Sequence, residues 1–176
     1  MEFTFTTSYN QKALTAMART LRKTVRKKRS FRAHLFGWIV VAFGIFLLLP
    51  LGEDNFEFSF RTIVTLVVIL ILLLVLLKED AINGYVARRR QLPQLQSSTT
   101  VFPTNDAEYH SSTEVGNSDF RYDNIIALAE TADYFVFIFS NSHAQVYDKS
   151  SITGGTIEDF RNFIQSVTGL SLQQVS

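Results

Sequence analysis

The sequence predicts an α+β membrane protein: a two-helix transmembrane hairpin joined to a small antiparallel β-sheet domain that a C-terminal helix caps. Three observations lead there. Two runs free of Asp, Glu, Lys and Arg, at 33–51 and 62–77, hold nearly all the aliphatic excess. Basic residues crowd the outer flanks of both runs, whereas the short connection between them carries Glu53, Asp54 and Glu57. Beyond residue 113, aromatic and β-branched residues group into strand-length segments that an amphipathic helical pattern follows.

At the N-terminus, "EFTFTTS" alternates Phe3 and Phe5 with polar residues, so 1–9 reads as a strand that can join the C-terminal sheet. Residues 10–32 read as a basic amphipathic helix, with Leu14, Met17, Ala18, Leu21 and Val25 on one face. That face fits the inner leaflet, the soluble domain, or a helix continuing into the first span. From Lys12 to Arg32 there are nine Lys or Arg and no acid.

A helix over 33–51, at about 1.5 Å per residue, nearly matches a hydrocarbon core of roughly 30 Å. This is transmembrane helix 1, and Pro50-Leu51-Gly52-Glu53 offers no signal-peptidase site. A short extracytoplasmic loop, 52–61, leads to transmembrane helix 2 at 62–77, which Phe58 and Phe60 extend into the interface. A basic and polar linker spans 78–98. Lys and Arg stay on the cytoplasmic side, so both termini are expected in the cytoplasm. Arg22, Lys23, Arg26, Lys27, Lys28, Arg29 and Arg32 before the hairpin, and Arg88, Arg89 and Arg90 after it, are the expected contacts with an anionic inner leaflet. Ala33, Gly37 and Gly44 give the first span a small-residue face for helix packing.

The basic block lacks the interleaved aromatics, Gly-rich elements or helix-turn-helix pattern of a nucleic-acid site, and no nucleic-acid partner is expected. The two spans hold no ionisable relay.

The remaining domain, 99–170, is acidic: from Thr100 onward ten acids face only Arg121, Lys149 and Arg161. Segments 122–130, 134–140 and 144–147 read as strands separated by short turns, hence antiparallel neighbours. "YFVFIF" sets Phe135, Phe137 and Phe139 on one face and Tyr134, Val136 and Ile138 on the other, so this central strand needs cover on both sides; the following helix is the expected cover. That helix starts at Thr156 as N-cap, carries Glu158 and Asp159 in its first turn, buries Ile157, Phe160, Phe163, Ile164 and Val167, and ends near Gly169.

No constellation for catalysis, cofactor or metal emerges. The chain has no cysteine. Gly154-Gly155 lacks the Lys and Ser/Thr of a phosphate loop and reads as a turn. His110 and His143 are single surface histidines, and Asp119, Asp123, Glu130 and Asp133 are expected to face water. No enzyme activity is expected.

The run "FRYDNIIALAETADYFVFIFSNSHAQVYDKSSITGGTIEDFRNFIQ", within Phe120 to Gly169, resembles the C-terminal domain of the YcxB-like family of small bacterial membrane proteins. The shared features are "YDNI", an acid and turn before an aromatic strand in "ETADYFVFIF", and a Lys-bearing segment leading into a Phe-rich helix. Tyr122 and Tyr147-Asp148-Lys149 depart from residues common in the family. The resemblance implies a multi-pass protein of the bacterial inner membrane with a cytoplasmic β-rich domain, PH-like in layout, and no established activity. The functional expectation is a membrane-anchored, non-enzymatic scaffold or regulatory module contacting a protein partner or a second copy. The alternatives are an immunity-type protective protein and a lipid-binding PH-like module.

Overall fold

Alternation at the N-terminus is realised as strand β1, Glu2–Ser8, which buries Phe3, Phe5 and Thr7 on one side. The structure is a computed structural model that describes residues 2–49, 60–90 and 96–175. Helix α1 (Gln11–Lys23) follows, capped by the Asn10 side chain, which accepts from the Ala13 N–H. Non-helical Thr24 ends α1, and helix α2 (Lys27–Phe46) starts anew, so the basic helix and the apolar one are separate. Helix α3 (Phe60–Arg90) kinks at Lys78, then continues through the first part of the segment read as a linker. The linker expectation fails there because Ala81, Gly84 and their neighbours have a helix to pack on, which hydropathy alone does not reveal.

Three strands come next: β2 (Ser97–Pro103), β3 (Glu108–Thr113) and β4 (Gly116–Arg121). Their Ser- and Thr-rich sequence gives little apolar signal, yet Ser98, Thr100 and Phe102 point inward in strand alternation. A 3₁₀ turn, Tyr122–Asn124, replaces the start of the strand expected at 122–130. The second sheet contains β5 (Ala127–Glu130), β6 (Tyr134–Ile138) and β7 (Ala144–Asp148). Helix α4 (Ile157–Thr168) has a capping box between Thr156 and Asp159 and ends at Gly169 in the left-handed region. Strand β8 (Leu172–Gln174) closes the described chain.

Among the described residues the fold is therefore α+β, with four α-helices and two four-stranded sheets, ordered β1-β2-β3-β4 and β7-β6-β5-β8. All pairings are antiparallel except β5 with β8. Strand β1 pairs with β2 over seven positions, from Glu2 opposite Pro103 to Ser8 opposite Ser97. Among the described residues one helix, α3, is long and apolar enough to cross a membrane. Helix α2 opens with Lys27, Lys28, Arg29 and Arg32, which leaves a shorter apolar stretch within its bounds. The end of the expected first span (Pro50 and Leu51), the loop up to Ser59 including Phe58, and residues 91–95 of the linker lie outside the described residues.

The main core lies between the sheets. Phe3 and Phe5 from β1, Phe102 from β2, Tyr109 from β3, Phe135 and Phe137 from β6, Tyr147 from β7 and Phe160 from α4 pack there as one cluster. Phe160 touches six other rings at centroid distances of 4.6 to 6.3 Å, mostly edge to face. The other face of β6, Tyr134, Val136 and Ile138, packs with Ala13 and Leu21 of α1. Thus α4 covers one side of the aromatic strand and α1 the other.

Gly154 shows how tightly β1 is held. At φ +88°, its missing Cβ would lie 1.8 Å from the Glu2 carbonyl oxygen, beside a backbone bridge between Thr4 and Thr153. Gly154→Ala should lower stability by at least ~2 kcal/mol, through both strain and collision. Gly169→Ala, at φ +67° in open space, should lose only about 1 kcal/mol. Thermal unfolding of the two variants in detergent tests that ranking; equal losses would contradict the β1 contact.

Candidate functional site

The junction between the apolar helices and the β-sheet domain is built on α1. Its apolar side lies on β6 and β7, and its opposite side meets the last turns of α3. The helices touch at Gly84, where an added Cβ would fall 2.9 Å from the Thr15 backbone, so only glycine permits this approach. Gln11 Nε2 donates to the Ala81 carbonyl at 3.2 Å. Just past the kink, Arg22 donates twice to Asp80, both at 2.6 Å, and Arg19 lies 3.4 Å from the same carboxylate. Glu79 sits 3.7 Å from Arg22 and 3.4 Å from His34 Nδ1. A bidentate, half-buried Arg–Asp pair is the strong kind of surface ion pair. Glu79 and Asp80 are absent from the sequence-based expectations, although two acids directly after an apolar run and a basic helix elsewhere in the chain form a legible signal.

The expected membrane-surface residues distribute around this junction. Arg22 is tied to Asp80, and Arg26 donates to the Asn141 carbonyl of the β6–β7 turn. Lys27, Lys28, Arg29 and Arg32 occupy the first turns of α2, and Arg88, Arg89 and Arg90 the last turn of α3, where Arg89 stacks on Tyr85 at 5.0 Å. Two grooves open here. One, of about 580 Å³, runs between α1, α2 and α3, with Arg22, Arg26, Arg29 and Arg90 on its rim. The other, of about 460 Å³, includes Arg22, Lys23, Lys27 and His34. Gly37 and Gly44 face α3, their missing Cβ atoms 2.6 Å from Leu76 and 3.0 Å from Ile69, while Ala33 lines the larger groove.

A second polar cluster lies inside the β-sheet domain. Glu130, expected to face water, is 2% exposed. The correction follows from its position in β5, covered by α4 and β8. Arg161 donates to it through Nε and Nη2, at 3.1 and 2.9 Å; Gln174 donates at 2.7 Å, and Lys149 Nζ also reaches it. Lys149 additionally donates to the Thr131 carbonyl at 2.5 Å and lies 5.1 Å above the Phe135 ring. Every strong lone-pair direction of the carboxylate is used, so its burial is compensated. Burial pushes the Glu130 carboxyl up, but hydrogen bonds from Arg161, Lys149 and Gln174 outweigh it and hold the group at about 2. The acid of "ETADYF" and the lysine of "YDKSS" are thus one ion pair. Elsewhere, His110 contacts Asp119 at 2.7 Å on the exposed side of β3 and β4, and His143 packs against Phe139.

These features define a class: a two-sheet α+β domain docked through a basic helix onto a helix of membrane-crossing character. Residues 105–164 match the YcxB-like protein family. The matched segment runs from the turn before β3 to within α4 and contains Glu130, Lys149 and Arg161. No curated protein and no solved structure matches the chain.

Glu130→Gln should cost about 3 kcal/mol at neutral pH, because it leaves the half-buried Lys149 without its counter-charge and Arg161 with only the exposed Glu158. In the intact chain the carboxylate's contribution, about 3 kcal/mol, is complete above the ordinary glutamate value of about 4.3 and is lost as pH falls from there through 2. Denaturant titrations from pH 7 to pH 2 should therefore show a steeper loss of stability in the native chain than in the variant.

Proposed function

We propose that the chain is a membrane-anchored, non-enzymatic scaffold or regulatory module of the bacterial cytoplasmic membrane. The observation that carries this reading is α3, which leaves an exposed apolar stretch at Leu77 and continues as a helix docked on α1. The β-sheet domain is thus fixed to the helix rather than hung from it by a loose linker. A fixed domain presents one orientation to a partner, which is what a scaffold requires.

The same geometry supports two crossings. Strands β1 and β2 are hydrogen-bonded neighbours, which favours an even number of crossings between Ser8 and Ser97. With α3 as one crossing, α2 is the natural second. The basic residues on both outer flanks favour a cytoplasmic position for the shared sheet. Two sheets closed by a terminal helix also favour a PH-like layout, with β1 donated from the far side of the hairpin.

The chain should stay in the membrane pellet after alkaline carbonate extraction. Fluorescent reporters fused at either terminus should light up inside the cell, and a phosphatase inserted at Asp54 should be active outside. A carbonate-soluble chain or an external terminus overturns the topology; robust hydrolase or transferase turnover by the pure chain overturns the non-enzymatic part.

A further inference from the structure

The larger groove has the composition of a lipid site. Its floor is apolar and comes from three helices: Met17 and Leu21 of α1, Ala33 of α2, and Val86 of α3. Its rim is cationic, with Arg26 at the N-cap of α2, where its Nε also donates to the Asn141 carbonyl, Arg29 in the first turn of α2 and Arg90 on the final turn of α3. The acid in it, Glu79, lies 3.7 Å from Arg22 and 3.4 Å from His34, with its Oε2 buried and without a hydrogen bond. On α3 the lining residues Glu79, Asn83, Val86 and Arg90 recur at helical spacing, so a single stripe of that helix faces the space.

Position narrows the occupant. Ala33 begins the apolar part of α2, and Glu79 lies two residues past the end of the apolar run of α3. On the membrane-anchored reading the groove opens at the level where headgroups meet hydrocarbon, with exposed apolar residues such as Leu35 and Leu77 next along both helices. Guanidinium groups bind phosphate with paired, directional N–H donors. Basic pockets between helices at a cytoplasmic membrane face suit anionic headgroups. A soluble anion would use the rim but not the floor; an anionic phospholipid uses both.

We propose that this groove binds one anionic phospholipid, with its phosphate among Arg26, Arg29 and Arg90 and its glycerol and upper acyl carbons against Met17, Leu21 and Val86. The proposal rests on the membrane-anchored reading and adds to it a specific site, distinct from the diffuse attraction of the surrounding lysines and arginines. The bound lipid bridges α2 and α3 where α1 wedges between them, so it also ties the hairpin to the β-sheet domain.

The test uses the full chain purified in mild detergent and observed by native mass spectrometry after addition of phosphatidylglycerol or phosphatidylcholine. The native chain should retain one phosphatidylglycerol through activation that strips phosphatidylcholine. Arg29→Gln/Arg90→Gln should lower that retention roughly tenfold, as expected for loss of two charge-assisted contacts worth about 1.4 kcal/mol together or more. Lys28→Gln/Arg88→Gln removes the same charge from the same stretch outside the groove and should keep the retained lipid, though both pairs weaken flotation on anionic vesicles. Equal loss in the two pairs, retention of both lipids alike, or equal protection by glycerol phosphate overturns the proposal. Should the groove pair fail to fold, the comparison of the two lipids on the native chain still decides it. A chain that carbonate extracts defeats the anchored reading itself; a chain that stays in the membrane yet holds no lipid defeats only this inference.

Discussion

The pairing of β1 with β2 is the constraint on which the rest of the molecule depends. These strands are separated by three helices and nearly ninety residues, yet they share a seven-position antiparallel ladder. Long-range pairing of this kind closes a large loop, whose entropic cost must be repaid by burial. Phe3 and Phe5 supply it, since each is buried in the aromatic core and a buried Phe contributes about 1.5–3 kcal/mol. The ladder also requires the chain that leaves the domain after β1 to return to it at β2.

Helix α1 turns that topological loop into a rigid joint. It is basic on its surface and apolar beneath, and the apolar stripe has a definite seat on Tyr134, Val136, Ile138 and Val146. Its outer side accepts α3 at Gly84 and at the Asp80 ion pair. Strand β6 is consequently buried on both faces, by aromatic rings toward α4 and by α1 on the other side. The exposed apolar residues of α2 and α3, such as Leu35, Phe36, Val67 and Leu70, have no such seat among the described residues, so a large exposed apolar surface stands beside a conventional core.

Charge is used in two ways. Around Glu130 it is sealed inside the domain and fully paired, a geometry that specifies how α4, β5, β7 and β8 meet. Around α1, α2 and the end of α3 it is exposed and unbalanced, with cations outnumbering the acids Glu79 and Asp80. The first arrangement holds the fold together; the second lies at the surface of the junction.

The sequence by itself determined the local elements. Alternation marked β1 and β6, the Thr156 to Gly169 signals bounded α4, and the run at 62–77 marked the apolar part of α3, because each depends only on neighbours in the chain. It also carried the family resemblance, in motifs such as "ETADYF" and "YDKSS". The tertiary structure alone decided the partners: β2 to β4 emerged from Ser- and Thr-rich segments because pairing, not hydrophobicity, makes them strands. Glu130 became a buried ion and α3 outran its apolar run for the same reason. Residues far apart in the sequence, Lys149 with Arg161 and Thr15 with Gly84, supply the compensation that makes burial favourable, and no local pattern encodes a contact whose other half lies elsewhere in the chain.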